Sequence, residues 1–371
     1  MMHRRLLLGL MSAAAVSALL PALPALAARD PGKDATVMGG LVRTHILPRF
    51  EALASATADY ADRLGRFAES PTAAGLEECR DAHRAVTDAW AGAQHLRPGP
   101  LMSDLRAERI SYWPERPGLV QRQIAGFLNA RDPKLLQPGA LARQSAAVQG
   151  LTVLERLLFD EGVTVASFDG DDAKRYRGAL AAAAARNLAT ITAGTRDGWK
   201  ALEEPLAAGQ QTILGPDSGW AVNALFTAAI TQVQIITDQK LLAPLGPGPG
   251  DARPAVAEAT RSGRSIRNVV LNLEALRALL LGEHGGPGLA TLLPDTADGT
   301  AARKALDESL LAAIRAAGAI PAPLTTAVGD PAKRKTVEGT LQAVKAVRTQ
   351  LVDTVAPLLD ITLGFNELDG D

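Results

Sequence analysis

Apolar side chains recur three and four positions apart along most of this chain, the spacing of helices that bury one face. Between residues 33 and 70 the stripe includes Leu41, Ile46, Phe50, Leu53, Tyr60 and Leu64, and Pro48 predicts a break in it. A second helix is expected from Ser70-Pro71-Thr72, with Ser70 as cap and Pro71 in the first turn, past Cys79, His83 and Trp90 to about His95. Further helices are predicted over residues 118–130, 140–160, 171–209, 219–242, 254–281, 301–317 and 331–359. The stretch QQTILGPDSG, punctuated by Gly and Pro, marks a boundary. Four long helices on either side of it predict an all-α fold of two four-helix-bundle-like domains, residues 28–210 and 211–371.

Periodicity stops over residues 96–118, where prolines and glycines surround Tyr112-Trp113. A segment of that length without periodicity, carrying aromatics, reads as an ordered irregular wall and not as a disordered linker.

The helix predicted over residues 140–160 carries the chain's most informative residue. Ala147, Val148, Leu151, Leu154 and Leu158 form its apolar stripe, and Glu155 falls inside that stripe. A carboxylate facing a core loses hydration worth several kcal/mol unless a partner, a metal or a proton offsets it. Thr152 lies one turn earlier, within reach of the same ligand.

Composition agrees with helices: alanine is abundant and aromatics make up only 4%, which suits closely packed helices better than sheet. Arg4-Arg5, the apolar run Leu6–Leu20 and Ala25-Leu26-Ala27 are the three parts of an export signal covering residues 1–27. The single cysteine, Cys79, rules out an internal disulfide, and no cysteine follows the signal to carry a lipid. The expected location is therefore the periplasm or cell envelope, with no transmembrane segment after cleavage. Without the signal the net charge is near −3 and no basic stripe stands out, which argues against a nucleic-acid partner.

The usual catalytic patterns are missing from the sequence. There is no pair of histidines at helical spacing with a Glu between, no G-x-S-x-G elbow and no Walker motif. His45, His83, His95 and His284 are far apart in sequence, and a structural role fits each better than ligation, His95 least so because it abuts the irregular segment. Polar residues in apolar settings remain: Glu155 with Thr152, Arg109 and Trp113 in the irregular segment, and Arg261-Ser262-Gly263-Arg264-Ser265 ahead of an apolar run.

At these residues the chain resembles the imelysin family, also called M75 peptidase-like, of exported bacterial proteins. The likeness covers most of the chain: AWAGAQHLRPGP ending at Pro100, Tyr112-Trp113-Pro114, the Glu155 helix, KLLAPLG at Lys240–Gly246 and the closing GFNELDGD. The family signature is G-x-H-x-x-E on a helix; here Gly150 and Glu155 match and Thr152 replaces the His. The resemblance implies two helical bundles packed around a groove and links with iron uptake, with metal binding and with peptidase activity. Without the imidazole, the expected protein is non-catalytic and binds a small ligand, a metal or an envelope protein in the groove. The alternatives are an M75-type metallopeptidase and a structural protein that docks an envelope partner. Candidate ligand-binding residues are Glu155, Thr152, Trp113, Arg109, His95, Ser262, Arg264 and Ser265, with Glu155 as the metal candidate for iron or another divalent ion.

Overall fold

The computed structural model describes residues 29–362; the export signal and the closing GFNELDGD lie outside them. Among the described residues there is no strand, only one isolated bridge between Thr212 and Gly215. Helix α1 (Pro31–Leu41), capped by the Asp30 side chain, passes through a π-helical turn (Val42–Ile46) into α2 (Leu47–Glu69). The break expected at Pro48 thus takes the form of a π turn, closed by Leu47 N–H on the Val42 carbonyl, just ahead of the ring. Helix α3 (Ala73–Ala93) starts later than expected, because Thr72 and not Ser70 supplies the capping oxygen, to Gly75 N–H.

The irregular segment holds one short helix, α4 (Arg106–Ile110), and is followed by α5 (Leu119–Ala130), α6 (Gly150–Phe159) and the 36-residue α7 (Asp172–Ala207). Helix α2 lies along both α3 and α7, and the buried run Ala181–Ala185 lets α7 come close to its neighbours. In the second half, α8 (Ser218–Gln234) continues through a π turn (Ile235–Leu242) into α9 (Ala243–Leu245). Then come α10 (Ser265–Leu281), α11 (Ala297–Gly318) and the single turn α12 (Leu324–Ala327). Helix α13 (Pro331–Thr349) runs through a third π turn (Gln350–Val355) into α14 (Ala356–Leu358). Helix α11 packs between α10 and α13, and α13 also meets α8.

Several contacts join the halves. Helix α10 lies on α3, and α1 touches both α7 and α8. One apolar cluster runs through both halves without interruption, from Met38 and Leu64 to Leu279 and Val344. The span Ser218–Leu245 is long and apolar enough to cross a membrane, yet 67% of its apolar window is buried inside the fold, as in the core helix of a soluble protein.

Two predicted helices are shorter than their apolar patterns suggest. Residues 140–149 are not part of the Glu155 helix; they form two 3-10 turns, Leu141–Arg143 and Ala146–Val148, and Gln149 is extended. Gly150, with φ of +67°, turns the chain into α6. Likewise residues 254–264 are turns, and α10 begins only at Ser265, after Gly263 at φ +73°.

Gly150 is irreplaceable for a second reason. A Cβ there would stand 2.2 Å from the Ile110 carbonyl oxygen and 2.3 Å from that of Arg109, at the end of α4. Left-handed strain and backbone overlap together make Gly150→Ala cost about 2–3 kcal/mol. Chemical denaturation should show that loss; a change below about 0.5 kcal/mol would mean that α4 is free to move away.

Candidate functional site

Four pieces of chain enclose a cavity of about 380 Å³ between the halves. Helix α3 offers His83, Thr87 and Trp90, one face at i, i+4 and i+7, and α6 offers Leu151, Thr152 and Glu155. The irregular segment supplies Trp113 to Gly118, and the second half supplies Ala255 to Arg261 with Asn268 of α10. Trp113 is held from two sides: its indole N–H donates to the Val256 carbonyl at 3.2 Å, and the Lys240 ammonium stands 5.7 Å from the ring centre.

Glu155 is only 6% exposed. Its Oε1 accepts from the backbone N–H of Ser262 at 2.8 Å and from the Ser262 hydroxyl at 2.6 Å, bonds that reach across from the second half. Burial raises the Glu155 carboxyl above its ordinary range, and the Ser262 bonds counter only part of that rise. Thr152, where the resemblance expects His, donates its hydroxyl to the Tyr112 carbonyl at 3.1 Å and so pins the irregular segment to α6. The arginines around the carboxylate have partners of their own: Arg156 bonds Glu115 at 2.7 Å, and Arg261 bonds Asp160 at 2.6 Å.

The structure therefore brings Glu155, Thr152 and Trp113 to one cavity and places Ser262 behind the carboxylate. It does not bring the other four candidates there. Arg109 donates to the Gln149 side chain at 3.0 Å, at the start of α6. Arg264 is paired with Asp88 of α3, and Ser265 bonds the Glu258 carbonyl, so both tie the second half to itself or to α3. His95 is fully buried elsewhere, with its Nε2 2.9 Å from Nε2 of His45.

That histidine pair was invisible in the sequence because 50 residues separate its members. Nδ1 of His45 lies 2.7 Å from Glu283, a carboxylate that can only accept, so Nδ1 carries the proton. His45 then accepts from His95 through Nε2, and Nδ1 of His95 is left as a buried acceptor with no partner. Burial lowers both imidazoles, His45 to about 4 and His95 well below the usual range. Burial works to raise Glu283, but the hydrogen bonds from His45 and Arg49 prevail and bring it down to about 2.

Two further features carry no sequence signal of their own. His83 lines the cavity, is lowered to about 3 by burial, and has its Nδ1 3.1 Å from the Tyr60 hydroxyl. In the cavity wall Glu258 forms a buried ion pair with Lys240 behind it at 2.7 Å, to which Asn268 and Asn272 each contribute a 2.7 Å hydrogen bond.

The cavity does not fit a metal ion. One Glu155 oxygen is committed to Ser262, the Thr152 hydroxyl to a carbonyl and Glu115 to an arginine. Among the described residues no three His, Cys, Asp or Glu side chains are grouped to hold one. Nor does Cys79 offer a nucleophile, since burial pushes its thiol up to about 12.

Comparison with solved structures places the fold. An imelysin-like protein from Psychrobacter arcticum 273-4 superposes with a TM-score of 0.74 at 20% identity, covering 91% of this chain and 99% of that one. An iron-regulated protein A precursor from Parabacteroides distasonis ATCC 8503 gives 0.72 at 15% identity, over 90% and 97%. A search of curated proteins finds no match. Residues 46–351 match the family model Peptidase M75, described as imelysin, a span that contains every wall of the cavity. The chain belongs to the imelysin family.

Proposed function

We propose that this chain is an exported, non-catalytic binding protein of the bacterial cell envelope that takes a small ligand into the cavity between its halves, in the service of iron acquisition. One observation carries the reading: a buried carboxylate on α6 is anchored by Ser262 of the other half while it lines a cavity of ligand size. The name of the Parabacteroides neighbour, an iron-regulated protein, supports the link to iron. The three-part signal at residues 1–27 supports export. The poor fit to a metal among the described residues weighs against a metallopeptidase.

Filling the cavity tests this directly. Ala255 is exposed at the cavity wall, so Ala255→Trp adds bulk there without disturbing the core. In cells deleted for the chain, wild type should restore growth under iron limitation and Ala255→Trp should not, at equal melting temperature. Full restoration by the variant, or cleavage of an unfolded protein substrate that a chelator abolishes, would overturn the reading.

A further inference from the structure

This inference rests on the binding role proposed above and concerns what the cavity accepts. The polar atoms it offers are unbalanced. Glu155 uses Oε1 for Ser262, and its Oε2 accepts nothing from the described residues. Asn268, also on the wall, donates through Nδ2 to Glu258 and keeps its Oδ1 sealed inside the wall, so Glu155 Oε2 is the open acceptor. An oxygen left bare in a buried site costs about 1–3 kcal/mol unless a ligand or water completes it.

Among the described residues, most of the positive charge around the cavity is already paired. Arg156 and Arg261 each face a carboxylate of their own, and Lys240 is held by Glu258 and Asn272. Arg116, exposed at the mouth, is the remaining lining cation. Glu155 thus has neutral hydrogen-bond donors but no paired counter-ion. Trp113 and Trp90 add aromatic faces, to which cations are attracted. We infer that the cavity binds a small organic cation, with an ammonium or guanidinium group donating to Glu155 Oε2 and its carbon skeleton against Trp113, Trp90 and Leu151. N–H donors suit this site where a metal ion does not, because one open carboxylate oxygen is enough to orient an ammonium and too few for a metal coordination shell.

The His83 ring sets a second element of specificity. The Tyr60 hydroxyl has no acceptor among the described residues other than Nδ1 of His83, so it donates there and the ring keeps its proton on Nε2. That N–H is available to an oxygen on the same ligand, which favours an amino alcohol over a plain alkylamine.

Calorimetric titration of the purified chain at pH 7.5 with propylamine, ethanolamine and methylguanidine tests the inference, with sodium acetate and magnesium chloride as controls. At least one amine should bind, and binding should weaken tenfold or more in Glu155→Gln, which keeps an acceptor for Ser262 and is expected to fold. The controls should give no heat. Binding of acetate in place of amines, equal amine binding by Glu155→Gln, or no amine binding at all would overturn it. If no amine binds but Ala255→Trp still abolishes iron-limited growth, the cavity remains the working site and only its ligand class is wrong. If Ala255→Trp has no effect either, both readings fall.

Discussion

The urea midpoint of this protein is expected to fall steeply as pH drops from 7 to 5. His45, His83 and His95 are all buried and held neutral, His45 at about 4, His83 at about 3 and His95 well below its usual value, with desolvation the main cause in each. In the unfolded chain the same rings take up protons near pH 6.5. Above that value neither state binds protons at these rings, so the stability is fully present. Between about 6.5 and 4 the unfolded state binds up to three protons more than the folded one, and each pH unit costs about 1.4 kcal/mol per ring. By pH 5 the loss is about 6 kcal/mol, comparable to the whole stability of many domains. Arg49 beside the His45–His95 pair, and Arg84 and Arg264 near His83, reinforce the effect because they repel an incoming proton. Glu283 adds to the loss only below about pH 4.5, where its unfolded form begins to protonate. Urea titrations at pH 7.5, 6 and 5 read this out, and His83→Phe should lower the slope by about one proton. A midpoint that stays level from pH 7.5 to 5 would show that the rings are accessible to protons in the folded state.

Lys240→Met is expected to be the most damaging single substitution near the cavity, at about 3–5 kcal/mol. The ammonium is 2% exposed, and burial lowers it from its ordinary value while Glu258 works to raise it. Removing it leaves the Glu258 carboxylate buried with only Asn268 as donor from this group. The loss measures that abandoned charge and not the worth of the pair, so Lys240→Met combined with Glu258→Gln should recover much of it. Denaturation of the two single variants and the double variant gives the coupling directly. Because Lys240 also faces the Trp113 ring, tryptophan emission should shift in both variants that lack it. A cost below about 1 kcal/mol for Lys240→Met would mean that water already reaches the pair.

The fold class was legible because it rests on local periodicity, and α7 lies within a residue or two of its apolar pattern. Glu155 was legible for the same reason: a charge inside an apolar stripe is buried wherever the stripe packs. The true start of α6 was not, since the apolar residues Ala147 and Val148 keep the helical rhythm while the backbone makes a 3-10 turn and then reverses at Gly150. Arg109, Arg264 and Ser265 show the limit of reading polar residues in apolar settings; each satisfies a structural partner and none reaches the cavity. The sequence implies a structural role for His83 because its neighbours offer no ligand, and its cavity position depends on α3 facing α6 and the 255–261 turns. Partners 50 or 107 residues apart, such as His45 with His95 or Glu155 with Ser262, leave no trace in a window one helix long.

Each of the three π turns ends two residues before a proline, at Pro48, Pro244 and Pro357. A wide turn is how a helix stores one surplus residue, and the proline, lacking an N–H, tolerates a ladder already out of step. These are therefore the positions at which the chain can change length without redesign: deleting one residue within Val42–Ile46 would let the turn relax to ordinary α-helix and keep every downstream contact of α2 in phase. The same deletion in the middle of α7 would rotate half of that helix by about 100° and turn its apolar face to water.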